Sequence, residues 1–132
     1  MVGFDDIHAA VTGADYVILA CPLTDTTEGL IDAEVLRTMP PDVLLINIAR
    51  GPVVDTDALL SSLRSNQLAG AVLDVTDPEP LPEDHPLWGL ANVLITPHNA
   101  GHTPAYFERR ADILAENVER LASGDGLQNR VV

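Results

Sequence analysis

The chain has 132 residues, the length of one ordinary domain, and its 46% hydrophobic residues are enough to bury a core, which excludes a disordered tail. Twenty acidic residues against seven basic ones, every one of them arginine, leave a net charge of -13 and an isoelectric point near 4.3. That sign excludes electrostatic binding to nucleic acid or to an anionic membrane, since both need clustered positive charge. Lysine is absent and 13 of the acids are aspartate, a balance that suits high salt, where like-charge repulsion is screened within about 3 Å at 1 M. One cysteine, Cys21, makes no intrachain disulfide, no Cys/His group has zinc-ligand spacing, residues 1–16 do not read as the basic flank and apolar stretch of a signal peptide, and no apolar run approaches bilayer length. The expected setting is cytoplasmic.

The periodicity alternates strand-like apolar runs with helix-like segments and predicts an α/β fold. Phe4, Ile7 and Val11 lie at helical spacing before Gly13, and residues 15–20 (DYVILA) read as a buried strand. Asp32 caps a short helix through Arg37 that stops at Pro40 and Pro41. Residues 43–48 (VLLINI) form the second strand, Gly51 and Pro52 break it, and Asp55 caps a helix carrying Leu59, Leu60 and Leu63. Residues 70–75 (GAVLDV) and 93–96 (VLIT) supply two more strands. All four are apolar on both faces, the pattern of a parallel sheet covered by helices on each side. Thr103 and Pro104 open a last helix in which Phe107, Ala111, Leu114, Val118 and Leu121 recur by fours and threes up to Gly124, roughly 28 Å of helix.

The segment between Asp74 and Val93 breaks the alternation. Prolines 78, 80, 82 and 86 forbid a crossover helix over most of it, and a long stiff loop at the carboxyl end of a strand is where open α/β sheets bind ligands. The residues after the other strands converge on the same edge: Cys21, Pro22, Leu23 and Thr24 after the first, Ala49, Arg50 and Gly51 after the second, and Pro97 to Gly101 after the fourth.

Arg50 leaves an apolar strand just before a glycine, a placement suited to holding a carboxylate through two parallel charge-assisted hydrogen bonds; alone, it reads better as a surface arginine paired with a loop acid, and only its context promotes it. His98 differs from His8, His85 and His102 in having Glu79 within reach, 19 residues earlier, if the prolyl loop folds over the strand end. A carboxylate against an imidazole fixes its tautomer and favours its charged form, which makes a tuned proton donor. Asp74 reads equally as an acceptor for a ligand amide or as a cap on the local turn. Asp55 with Asp57, and Glu83 with Asp84, read as caps and solvated charge, so no metal is expected. Neither a GxGxxG fingerprint nor a P-loop lysine exists in the chain.

Four ordered motifs, ACPLTDTTEGLID at 20–32, LLINIARGPVVDTDALLSSL at 44–63, LAGAVLDVTDPEPLP at 68–82 and NVLITPHNAGHT at 92–103, resemble the cofactor-binding half of the D-isomer-specific 2-hydroxyacid dehydrogenases. The resemblance implies a partial Rossmann-like, doubly wound parallel sheet lacking its first βαβ unit and the substrate lobe. It assigns 1–102 to the NAD(P)-binding domain and 103–132 to a closing helix and tail that return to the other lobe, leaving the Phe107 and Leu114 stripe underburied. It also implies an Arg50, Glu79 and His98 constellation, NAD or NADP as cofactor, and a small 2-oxo or 2-hydroxy acid as substrate. Dinucleotide contacts implied in the same way fall on Cys21, Pro22, Thr27, the backbone of Ile48 and Ala49, Arg50, Asp74, His98, Ala100 and Gly101. The family's enzymes are more than twice this length and form homodimers, so the chain reads as a C-terminal part without turnover of its own. The alternative readings are a dinucleotide-sensing module like the corepressors of the same fold, and an inactive folded remnant.

Overall fold

In the computed structural model, which describes Gly3 and residues 6–130, the order is α1 (Ile7–Val11), β1 (Tyr16–Leu19), α2 (Ala33–Thr38), β2 (Leu44–Asn47), α3 (Thr56–Arg64), β3 (Gly70–Leu73), β4 (Val93–Ile95) and α4 (Tyr106–Ser123). Phe4, expected in the first helix, lies outside the described residues. Short 3-10 turns at Gly51–Val53 and Pro86–Gly89 occupy the two proline-marked breaks. The chain divides into two compact units, 1–100 and 101–132.

In the first unit the four strands are parallel in the order β1-β2-β3-β4, so all their carboxyl ends lie along one edge. The helix starts follow the sequence: the Asp32 carboxylate accepts the Glu34 and Val35 N–H groups at 2.8 Å, and Asp55 accepts that of Ala58 at 3.0 Å. Each supplies a partner for N–H groups that the first turn of a helix leaves unpaired. Val11, Val35, Leu36, Leu59 and Leu63 of the helices join Val17, Leu19, Leu45 and Leu73 of the sheet in one core. Burying a side chain such as Leu45, fully enclosed here, contributes about 1.5–3 kcal/mol.

Among the described residues, helices cover one face of the sheet. Register places Ile18, Ile46, Val72 and Leu94 in one row across the sheet, with Tyr16 and Leu44 beside it, and Tyr16, Ile18 and Leu94 are each more than half exposed. Among the described residues α2 and α3 share the opposite face, because the connections β1 to β2 and β2 to β3 of this order return on the same side, and α1 packs beside α2 in the same core.

In the second unit, α4 begins later than Thr103 and Pro104 suggest. Ala105 precedes it without a side-chain cap, and the Thr103 carbonyl instead accepts the Tyr106 N–H at 2.9 Å in a separate turn. Gly124, at φ 78°, ends the helix in the left-handed conformation. No α4 residue is buried, Phe107 and Leu114 included. The tail folds back on the helix: the Asn117 amide exchanges two hydrogen bonds with the Gln128 backbone, and Glu116 accepts from Arg120 and Gln128. No described helix is long and apolar enough to cross a membrane.

Candidate active site

The turn after β2 is organised by Asn47, the last residue of the strand and 1% exposed. Its Oδ1 accepts the Ala49 N–H and its Nδ2 donates to the Arg50 carbonyl, both at 3.0 Å. Arg50 then leaves the sheet edge exposed, with Nη1 donating to the Ala49 carbonyl at 2.6 Å and no ion pair among the described residues. Gly51 follows with its Cα pressed on the Thr76 carbonyl, so that any Cβ would collide with that backbone. The Arg50 turn and the prolyl loop are thereby packed together, and the Thr56 hydroxyl pins the loop again by donating to the Asp77 carbonyl at 3.0 Å.

The prolyl loop brings Glu79 to His98: Oε1 stands 2.6 Å from Nδ1, while the Thr76 N–H donates to Oε2 at 3.3 Å. The hydrogen bond from His98 holds the Glu79 carboxyl below its ordinary value; burial opposes this, and the Thr76 N–H with the charges of His98 and Arg50 supports it. An ionised carboxylate only accepts, so Nδ1 carries the proton and Nε2 is the ring nitrogen left for a ligand.

His98 sits at φ 52°, a left-handed conformation rare for a side-chain-bearing residue, and Asp74 holds it there. Asp74, 3% exposed at the end of β3, accepts the Thr96 hydroxyl and the Asn99 N–H through Oδ1 and the Ala100 N–H through Oδ2. Burial pushes its carboxyl up as the largest single influence, but the bonds from Thr96, Ala100 and Asn99 and the charge of His98 together outweigh it, and the net shift is downward. These three contacts make Asp74 a cap on the local turn. A cleft of about 480 Å³ beside the pair is lined by Trp88, Leu81, Ile95 and Pro97 as well as Glu79 and His98.

A second opening, about 560 Å³, lies between the ends of β1 and β2 and is lined by residues 20–23 and 48–50. Cys21, Pro22, Ile48, Ala49 and Arg50 meet there. Thr27 does not present its hydroxyl to this opening: it is 2% exposed, donates to the Pro22 carbonyl at 2.7 Å and accepts the Thr24 N–H at 2.9 Å, which shapes the loop from within. The backbone N–H groups of Ile48 and Ala49 are likewise committed, to the Leu19 carbonyl and to Asn47. Ala100 spends its N–H on Asp74, and Gly101 belongs to the second unit. His85 accepts the Leu87 N–H at the start of a 3-10 turn, outside the pair. Asn47, Thr76 and Thr96 escaped the sequence reading; the one available signal was a lone amide closing an otherwise apolar strand.

Residues 1–100 match the family model for the D-isomer specific 2-hydroxyacid dehydrogenase, NAD binding domain. A glyoxylate reductase of Thermofilum pendens is 43% identical over 122 residues, 92% of this chain and 36% of that protein. An (S)-sulfolactate dehydrogenase of Chromohalobacter salexigens is 50% identical over 107 residues, 81% of this chain and 35% of that protein. The crystal structure of a D-isomer specific 2-hydroxyacid dehydrogenase from Xanthobacter autotrophicus Py2, in complex with NADPH and MES, is similar with a TM-score of 0.85 at 41% identity, over 98% of this chain and 53% of that one. The chain thus spans little more than a third of the two curated relatives.

The residues present fit one end of a dinucleotide. Apart from Arg50 the side chains around the opening between β1 and β2 are apolar, while Arg50 and exposed main-chain groups make its surface as polar as it is apolar, a mixed lining that suits a flat ring and its sugar; no glycine fingerprint offers backbone N–H groups to a pyrophosphate. With this sheet, this edge and these matches, the chain belongs to the D-isomer specific 2-hydroxyacid dehydrogenases, its first 100 residues to their NAD-binding domain.

Proposed function

We propose that the chain supplies the carboxylate clamp and the proton relay of an NAD(P)-dependent oxidoreductase acting on small 2-hydroxy and 2-oxo acids. The observation that carries this is the Glu79–His98 pair, 2.6 Å apart, with the Arg50 charge felt at Glu79. The names of the two relatives, one a glyoxylate reductase and one a sulfolactate dehydrogenase, support the substrate class.

Arg50 spends one N–H on Ala49 and keeps the rest of its fork for a substrate carboxylate, the contact that also orients the C2 carbonyl. His98 Nε2 gives its proton to the carbonyl oxygen in reduction and takes it back in oxidation, and Glu79 stabilises the imidazolium. Cys21, Pro22, Ile48 and Ala49 would hold the nicotinamide end, which when bound exchanges a hydride with C2. The protein's own part is alignment and charge stabilisation.

The test grafts residues 1–132 in place of the matching segment of the Thermofilum pendens glyoxylate reductase. Expected is NADH- or NADPH-dependent reduction of glyoxylate, lowered about 100-fold to 10,000-fold in kcat by His98→Gln. Arg50→Lys raises the KM for glyoxylate. A chimera that melts cooperatively but reduces no glyoxylate, or one whose turnover survives His98→Gln, overturns the proposal.

A further inference from the structure

The Arg50 guanidinium is seated on a peptide that a buried amide holds from both sides. Asn47 takes the N–H on one side of the Ala49 carbonyl and donates to the Arg50 carbonyl on the other, and Arg50 Nη1 donates to that same Ala49 carbonyl. An amide 1% exposed at the end of an apolar strand costs free energy unless its groups are paired, and here both of its heavy polar atoms are used on this turn alone. Leu or Ile at the same place would fill the space and leave the Ala49 N–H and the Arg50 carbonyl without these partners. The next residue, Gly51, packs directly on the Thr76 carbonyl of the loop that carries Glu79, so the turn has no freedom to shift away from that loop.

We propose that Asn47 is a positioning residue for Arg50: by clamping the 49–50 peptide it fixes the Ala49 carbonyl as the seat of the guanidinium and so aims the remaining N–H groups at the substrate carboxylate. The substrate part of this statement rests on the function proposed above; the seating part does not. Asn47 touches neither substrate nor cofactor in this scheme. It acts by cutting the freedom that a long arginine side chain otherwise loses only on binding, which is a contribution to affinity by preorganisation.

The experiment is 15N relaxation of the arginine Nε–H groups in the 132-residue chain, with hydrogen exchange of the Ala49 amide. In the parent, Arg50 is more ordered than the exposed Arg37 and Arg64. Asn47→Ala brings Arg50 down to their level and speeds Ala49 exchange about fivefold to tenfold, the worth of one hydrogen bond. Asn47→Ser, which keeps an oxygen near Ala49, recovers part of both. Val35→Ala, a core change in α2, lowers the melting temperature but leaves the Arg50 order parameter unchanged. If Asn47→Ala does not fold, the parent comparison and Asn47→Ser decide. A parent Arg50 as mobile as Arg37, or an Arg50 indifferent to both Asn47 variants, overturns the proposal.

A second arm uses the chimera, where Asn47→Ala lowers kcat/KM for glyoxylate by about tenfold or more. A chimera inactive with Asn47 intact refutes the dehydrogenase reading only, because the relaxation result still decides whether Asn47 seats Arg50.

Discussion

Asp74 and His98 are joined through the backbone: the carboxylate accepts the N–H groups of the two residues that follow the histidine, at 2.9 and 2.8 Å, and so fixes the left-handed turn on which the imidazole stands. The histidine's chemistry and its conformation therefore have different guardians, Glu79 at the ring and Asp74 at the main chain.

Asp74→Asn removes a charged acceptor from this turn and should cost about 1–3 kcal/mol at neutral pH, measured by urea unfolding. The Asp74 carboxyl is shifted downward in the folded protein, so its contribution is present above the ordinary carboxylate range and is lost as the pH falls through the depressed value. The parent and Asp74→Asn should accordingly converge in stability on the acid side. A gap that stays constant from pH 7 to pH 3 contradicts the assignment.

The Glu79 carboxylate dictates which ring nitrogen of His98 is protonated. Long-range 15N correlation spectra above neutral pH should show the proton on Nδ1 in the parent and a shift toward the Nε2–H form in Glu79→Ala. Identical spectra for the two proteins would show that the 2.6 Å pair does not persist in solution.

Gly51→Ala puts a methyl against the Thr76 carbonyl, which is backbone and cannot swing aside. The expected loss is about 1–3 kcal/mol or more, with altered His98 ring shifts because the displaced loop carries Glu79. Gly89→Ala, where a Cβ meets only open space, is the matched control and should change stability by less than about 0.5 kcal/mol.

A chain at -13 without lysine should gain stability from salt. Melting temperature is expected to rise steadily from dilute buffer to molar KCl as repulsion among the carboxylates is screened. Full stability in dilute buffer, with no further gain, would remove adaptation to salt as the reason for the composition.

Local rules acting on short stretches made several features legible in the sequence. Asp32 and Asp55 cap their helices as their positions before apolar-periodic segments indicate, and Gly124 stops α4 because a glycine enters the left-handed region without a Cβ penalty. Each expected strand lies where its apolar run predicts, one or two residues shorter, and parallel pairing puts Arg50, Asp74 and His98 at one edge. Strands apolar on both faces imply two covered faces, yet Ile18 and Leu94 stay exposed, because hydrophobicity records what a surface prefers and not what lies against it.

What only the tertiary structure decided are the contacts between residues distant in sequence. Nothing local shows that Asp74 caps the turn before Asn99; the 24 residues between them must fold before its lone pairs have these partners. Thr27 reads as an available hydroxyl until burial commits it to Pro22 and Thr24. Asn47, one amide within VLLINI, gains its partners only when the turn closes around it. Sequence determined which groups exist and which secondary structure presents them, whereas the direction of each polar group followed from desolvation, which leaves a buried donor or acceptor no alternative to the partner the fold provides.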